Sequence, residues 1–382
     1  MGNIHNKPNV FVVESPFQLL NALEAARYLA LANNHLVILQ FPGYNEAAYA
    51  PLIRKEDWAV VMSVPWESEG GNNALEMLRG ENVRKWYKRY LHWKRRRRFT
   101  RLSRSFGQAG NLLLGHYHAE HKSYLHHLAN NLKHERLYLV DDGTSTLTIN
   151  NHRKGIDIAA NRQRDVTERV AGSIFMKMKA YLRRRYWDWH VEEAESVTFF
   201  TIYELVVRKG DHVVKNGYRH LKSVAGNPIQ SNEVCFLGEC LVEDNVMKEE
   251  PYLEHLRKVK DYFEGQQITY VPHPRESTLM VTKIADSLGF EIRRFGVPFE
   301  VAVVVRGYRP KVLASFNCSA LESCSNILGG ALKIISFHIA SEHMLYWSEE
   351  ATAIYEYFRS KNDPNFEVIP LEIGEPHLIS PG

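Results

Sequence analysis

Disulfides, membrane spans and metal fingers are the first things missing from this chain. Its four cysteines, Cys235, Cys240, Cys318 and Cys324, form no CxxC pair in 382 residues. No His/Cys group has zinc spacing, so reduced thiols in a cytoplasmic protein are expected. The start, MGNIHNKPNV, has no apolar signal region, and no run reaches the ~18 apolar residues of a membrane span. Met1-Gly2 opens like a myristoylation signal, but Asn6 stands where Ser or Thr is required. Neither GxGxxG after a strand nor GxxxxGK[ST] occurs, which removes a dinucleotide fingerprint and a P-loop. Internal repeats and low-complexity tracts are absent.

The chain also has little net charge, only +4, but the charge is unevenly spread. A KRRRR run occupies 94–98 and a second basic cluster lies at 177–185, on an amphipathic helix expected over 166–189. Such faces suit an anionic partner: nucleotide, phospholipid or nucleic acid. Against nucleic acid, the charges lie on two helical stretches without a recognisable binding module. Each cluster taken singly also reads as a solvated helix face.

What is present is a succession of short apolar strands and helical segments. Val10–Val13 runs into Glu14-Ser15-Pro16, where Ser15 as N-cap and Pro16 at the first helical position announce a helix to about residue 32. Strands follow at 35–41, 59–64, 111–115 and 136–140, with helices between them. This alternation indicates a parallel sheet covered by helices. A polar stretch at 208–232 reads as a linker. A second series then begins: strands at 234–237, 267–271, 291–295, 312–316 and 332–337. The expected fold is α/β, with two Rossmann-like domains facing a central cleft. The expected domains are 1–207 and 233–345, with a C-terminal helix and tail, 346–382, packing back across them.

Two strand ends carry chemistry. His273 lies between Pro272 and Pro274 at a strand-to-helix turn, the end of an α/β sheet where ligands bind. An imidazole there can protonate or bind a phosphate near neutral pH. Asp141-Asp142-Gly143 closes an earlier strand, and alternation sends the two carboxylates different ways. The helix starting near Ser319 offers free N–H groups to an anion. By themselves these features also fit a sugar-phosphate or glycerol-phosphate transferase.

Together the motifs resemble bacterial sialyltransferases of glycosyltransferase family 52 and their capsule polysialyltransferase relatives. Val13-Glu14-Ser15-Pro16-Phe17-Gln18-Leu19-Leu20 resembles their opening, Asp141-Asp142-Gly143 their D/E-D/E-G motif, His273-Pro274 their HP motif, and Ser315-Phe316-Asn317-Cys318-Ser319 part of their serine motif. Cys318-Ser319 departs from the usual Ser-Ser or Ser-Thr pair. The resemblance implies a GT-B-like fold and a CMP-activated nonulosonic acid donor, such as CMP-sialic acid, held by Gly238, Pro274, Arg275, Glu300, Asn317, Cys318 and Ser319. Glu300 would hold the ribose and Ser319 the phosphate. It further implies inverting transfer with Asp141 or Asp142 as base, with His273 assisting CMP departure. No metal or other cofactor is expected. The acceptor would be a surface glycan, lipid-linked in many such systems. A basic cluster would then hold the protein peripherally on an anionic membrane, at the inner face of the inner membrane.

Overall fold

The structure is a computed structural model that describes residues 7–41, 45–66, 81–117, 119–155, 178, 192–224, 229–329 and 332–371. Contacts divide the chain into two units, Met1–His220 and Leu221–Gly382.

The first unit contains β1 (Asn9–Val13), α1 (Pro16–Tyr28), β2 (Asn34–Gln40), α2 (Glu46–Tyr49), β3 (Val60–Pro65), α3 (Glu81–Phe106), β4 (Gln108–Leu114), α4 (Ala119–Asn131), β5 (Lys133–Val140), α5 (Ser145–Arg153), β6 (Thr198–Thr201), β7 (His212–Lys215) and the start of α6 (Arg219–Val224). Its seven strands are parallel in the order β3-β2-β1-β4-β5-β6-β7. The order in which strands are added reverses between β1 and β4. Right-handed crossovers therefore place α1 on one face and α4 on the other. Coverage of both faces explains why β1 (NVFVV) is buried at every position rather than alternating.

The helix start read at Ser15 is present. Ser15 Oγ accepts from the Gln18 amide at 3.2 Å, and Pro16 occupies the first turn. Gln18 Oε1 reaches back to the Glu14 amide at 2.8 Å, so SPFQ works much like a capping box. The helix stops at Tyr28, short of residue 32, because the chain turns through positive φ at Ala30 and Asn33.

The second unit contains β8 (Ile229–Gln230), β9 (Val234–Leu237), α7 (Glu249–Tyr262), β10 (Ile268–Val271), α8 (Thr278–Leu288), β11 (Glu291–Ile292), α9 (Phe299–Arg306), β12 (Tyr308–Arg309), β13 (Val312–Ser315), α10 (Ser319–Leu328), β14 (Lys333–His338), α11 (Ser348–Ser360) and β15 (Phe366–Pro370). Six strands are parallel in the order β11-β10-β9-β13-β14-β15, and β8 pairs with β12 separately. Here the reversal falls between β9 and β13. Two Rossmann-like α/β units in one chain are thus what the sequence reading expected.

Three segments differ from that reading. The stretch taken as a linker contributes β7, an edge strand of the first sheet, and α6; four residues with an exposed outer face give no apolar run to read. The piece beyond 345 supplies α11 and β15, which pack on and extend the second sheet, so the boundary at 345 separates nothing. The strand expected at 291–295 pairs only over Glu291–Ile292. The helix expected over 166–189, with its basic cluster, lies outside the described residues apart from Met178.

Candidate functional site

In the first unit the acidic pair sits just past β5. Asp141 is fully buried: Oδ1 accepts from Thr146 Oγ1 at 3.0 Å, and Oδ2 accepts from the Ile202 amide at 2.8 Å. Its carbonyl accepts from Asn21 Nδ2, whose Oδ1 accepts from Asn216 and Tyr218. Asp141 is therefore a structural tie between β5, β6 and α1. Asp142 turns the other way, as strand alternation dictates. Its side chain is 23% exposed and lies 2.9 Å from His116 Nδ1. Of the two carboxylates read from the sequence, only the Asp142 side chain is partly exposed.

In the second unit the ends of β10, β9 and β13, adjacent strands flanking the reversal, bring the remaining candidates to one edge. His273 Nδ1 accepts from the Arg275 amide at 3.1 Å. An amide can only donate, so the neutral ring carries its proton on Nε2. Burial, reinforced by the Arg275 guanidinium, pushes His273 down to about 4. An imidazole in its ordinary range near neutrality, the sequence expectation, is thus corrected: at pH 7 this ring is a neutral N–H donor. Arg275 itself pairs with Asp244 at 2.6 Å, and Pro274 is exposed.

Gly238 has a steric reason to be glycine. A Cβ there would stand 2.3 Å from both Glu276 Oε2 and Tyr270 Oη. Those atoms belong to a buried chain that sequence reading missed. Tyr270 donates to Glu276 at 2.6 Å, Tyr252 lies 3.0 Å from Tyr270, and the His273 amide donates to Glu276. Burial pushes Glu276 up to about 7.

Glu239, also missed, reaches from the end of β9 into the loop before α10. Its Oε1 accepts from the Asn317 amide at 2.8 Å and from Ser315 Oγ at 2.9 Å, and burial pushes it up to about 7. Around this carboxylate stand Asn317, Cys318 and Ser319. Cys318 is the N-cap of α10 without a side-chain cap, and burial raises its thiol well above the ordinary range. Asn317 is buried, and its Nδ2 has no hydrogen-bond partner among the described residues. An orphaned donor at a helix N-terminus is a place for an anion or a polar base. Glu300, in the first turn of α9, is buried and accepts from Ser323 Oγ on α10 at 3.0 Å. It ties two helices of this edge together, and burial raises its carboxyl.

Among the described residues no group of three or more His, Cys, Asp or Glu is placed to hold a metal ion. No helix among them is long and apolar enough to cross a membrane. The signal for His116 was its place directly after Gly115 at a strand end; the signal for Glu239 was the same after Gly238. Neither acquires meaning until the strand order is known.

No curated protein sequence matches the chain. Among solved structures it is similar to an alpha/beta-galactoside alpha-2,3-sialyltransferase from the luminous marine bacterium Photobacterium phosphoreum (11% identity, 96% of this chain and 98% of that one, TM-score 0.48). It is also similar to Phytolacca americana UGT2 complexed with UDP-2fluoro-glucose and pterostilbene (12% identity, 98% and 87%, TM-score 0.47). A third likeness is the E. coli heptosyltransferase WaaC with ADP-2-deoxy-2-fluoro heptose (12% identity, 92% and 100%, TM-score 0.38). The family model for alpha-2,8-polysialyltransferase (POLYST) matches residues 9–330, a span that holds every candidate site residue described above. The chain belongs to the alpha-2,8-polysialyltransferase family and is a glycosyltransferase.

Proposed function

We propose that this protein is an inverting sialyltransferase. It moves a sialic acid or related nonulosonic acid from a CMP-sugar to a bacterial surface glycan such as capsule or lipopolysaccharide. One observation carries the reading. Within the family-matched span, each sheet presents one suited group at the end of a strand one removed from its reversal: the partly exposed carboxylate of Asp142 and the Nε2–H of His273.

In the proposed reaction, Asp142 takes the proton of an acceptor hydroxyl. The oxygen attacks the anomeric carbon of the donor from the face opposite CMP. The bond from that carbon to the phosphate oxygen breaks, and CMP leaves with the electron pair. His273 donates a hydrogen bond from Nε2 to the departing phosphate. An anion beside the ring favours its charged form, so donor binding raises His273 towards the range where full proton transfer occurs. Asn317 Nδ2 and the α10 N-terminus at Ser319 receive the nucleotide's polar groups, with Gly238, Pro274, Arg275 and Cys318 around them. Glu300 holds the ribose in this reading, which requires its bond to Ser323 to be shared or exchanged. A screen of CMP-sialic acid against other nucleotide sugars, read by nucleotide release and thermal shift, tests the donor. A preference for a UDP- or ADP-sugar would contradict it.

The acceptor in this reading is anchored at an anionic membrane, with α3 as the contact. Val83, Trp86, Tyr90 and Trp93 are exposed at helical spacing along one face of α3. Lys94, Arg97 and Arg101 are exposed beside them, and Arg97 lies over the Trp93 ring at 4.8 Å. Interfacial aromatics flanked by cations fit a lipid surface. Arg95 stacks on Trp66 and Arg98 donates to the Pro65 carbonyl, so two of the five residues of the KRRRR run are committed inward.

A further inference from the structure

We infer that His116 is the positioning residue for Asp142, and that the two act as one unit in activating the acceptor. The inference rests on the sialyltransferase reading above, in which Asp142 is the base.

The geometry begins with the strands. β4 and β5 are adjacent and parallel, with Leu114 opposite Leu139. Two residues past the end of each strand stand His116 and Asp142, side by side at the same edge of the sheet. His116 Nδ1 and Asp142 Oδ2 are 2.9 Å apart, with side chains 12% and 23% exposed. At that distance and burial a ring N–H donating to a carboxylate fixes the orientation of the carboxylate.

The backbone carrying His116 is held from both sides. On one side Gly115 packs against Gln18 so closely that a Cβ would stand 2.1 Å from Gln18 Oε1. On the other, Tyr117 stacks on His126 with ring centroids 3.8 Å apart, and its hydroxyl accepts from the Ala194 amide at 3.1 Å. The loop 115–117 is therefore pinned at each neighbour of His116. Asp142 is pinned as well, because its neighbour Asp141 is tied to Thr146 and Ile202. A pair fixed at both ends has little freedom to re-form elsewhere, and geometry of this kind is what a base needs. When Asp142 accepts the hydroxyl proton, His116 keeps the carboxyl oriented for its return to solvent.

Five proteins test the inference: wild type, His116→Ala, Asp142→Asn, the double variant, and His116→Asn as the conservative replacement. Transfer from CMP-sialic acid to a sialylated oligosaccharide is measured. By analogy with residues that orient a reactive group, His116→Ala should lower kcat roughly 10–100-fold, with donor KM nearly unchanged. His116→Asn keeps an N–H donor and should recover much of that loss. In the Asp142→Asn background, His116→Ala should cost nothing further. Thermal unfolding of the same proteins reads the pairing without turnover, and the two single substitutions should show non-additive shifts on the order of 2–4 °C. Transfer by the wild type together with losses that multiply independently would overturn the positioning role alone. No transfer from CMP-sialic acid by the wild type would remove the sialyltransferase reading beneath it. Wild-type kcat in a folded His116→Ala protein would likewise end the inference.

Discussion

Asp141 and Asp142 are neighbours in sequence with opposite fates in the structure, and they separate stability from chemistry. Asp141→Asn places an NH₂ group where one carboxylate oxygen accepted from Thr146 or the Ile202 amide. The cost of an unpaired buried group is about 1–3 kcal/mol, so this variant should unfold at lower temperature. Asp142→Asn should lose transfer while shifting unfolding only by the few degrees of its bond to His116. Equal, mild effects of both on transfer would remove the base from the mechanism. His273→Ala should cut kcat roughly 10²–10⁴-fold, the range for a group that manages a proton in the transition state, with little change in folding. The buried carboxyls give a pH signature. Glu239 and Glu276 are pushed up to about 7 from an ordinary 4.5. A carboxyl protonated more readily when folded contributes stability that is full below about 4.5 and is lost as pH rises through about 7. His255 and His273, pushed down to about 4 from 6.5, act oppositely and lose stability as pH falls below 6.5. Above pH 6.5 the unfolded-state charge on those histidines fades, so the opposing carboxyl effect increasingly dominates. Unfolding temperature should therefore fall between pH 6.5 and 8, and Glu239→Gln should flatten that fall. An unchanged slope would place the Glu239 proton elsewhere.

The elements explain which of these features a sequence can reveal. Strand ends were legible because a parallel strand covered on both faces is an uninterrupted apolar run, and the residue where the run stops is the residue at the sheet's edge. His273 and the acidic pair were found that way. The Ser15 cap was legible because its chemistry is local. His116 and Glu239 were not legible as site residues, because their partners come from neighbouring strands and strand order is a global property. The neutrality of His273 was hidden for the same reason: desolvation by packed surroundings, more than the two prolines, sets its state. Gly238 was read as a donor contact, and the structure adds a reason of its own. Gly238→Ala would force a Cβ onto Glu276 and Tyr270; overpacking costs about 1–3 kcal/mol, so that variant should unfold early and bind CMP poorly. In α3 the basic run divides. Lys94, Arg97 and Arg101 replaced by Gln should weaken binding to anionic vesicles, at about 1 kcal/mol per charge. Replacing Arg95, stacked on Trp66, should affect stability instead. Vesicle co-sedimentation decides, since binding indifferent to salt or to the triple substitution would exclude this helix as an electrostatic contact.

At the scale of the whole molecule, two parallel sheets with reversals between β1 and β4 and between β9 and β13 give each unit its own edge of strand ends. The alternation of strands and helices disclosed both units, whereas the edge strands β7 and β15 escaped because they are short and half-exposed. The account's central claim is that one edge activates an acceptor hydroxyl while the other releases CMP. The most direct measurement incubates the protein with CMP-sialic acid and a sialylated oligosaccharide, following CMP release and product mass together. The account predicts equal amounts of CMP and sialyl-extended product from the wild type, and neither from Asp142→Asn. Consumption of a UDP- or ADP-sugar in place of CMP-sialic acid, or transfer undiminished in both Asp142→Asn and His273→Ala, would contradict it.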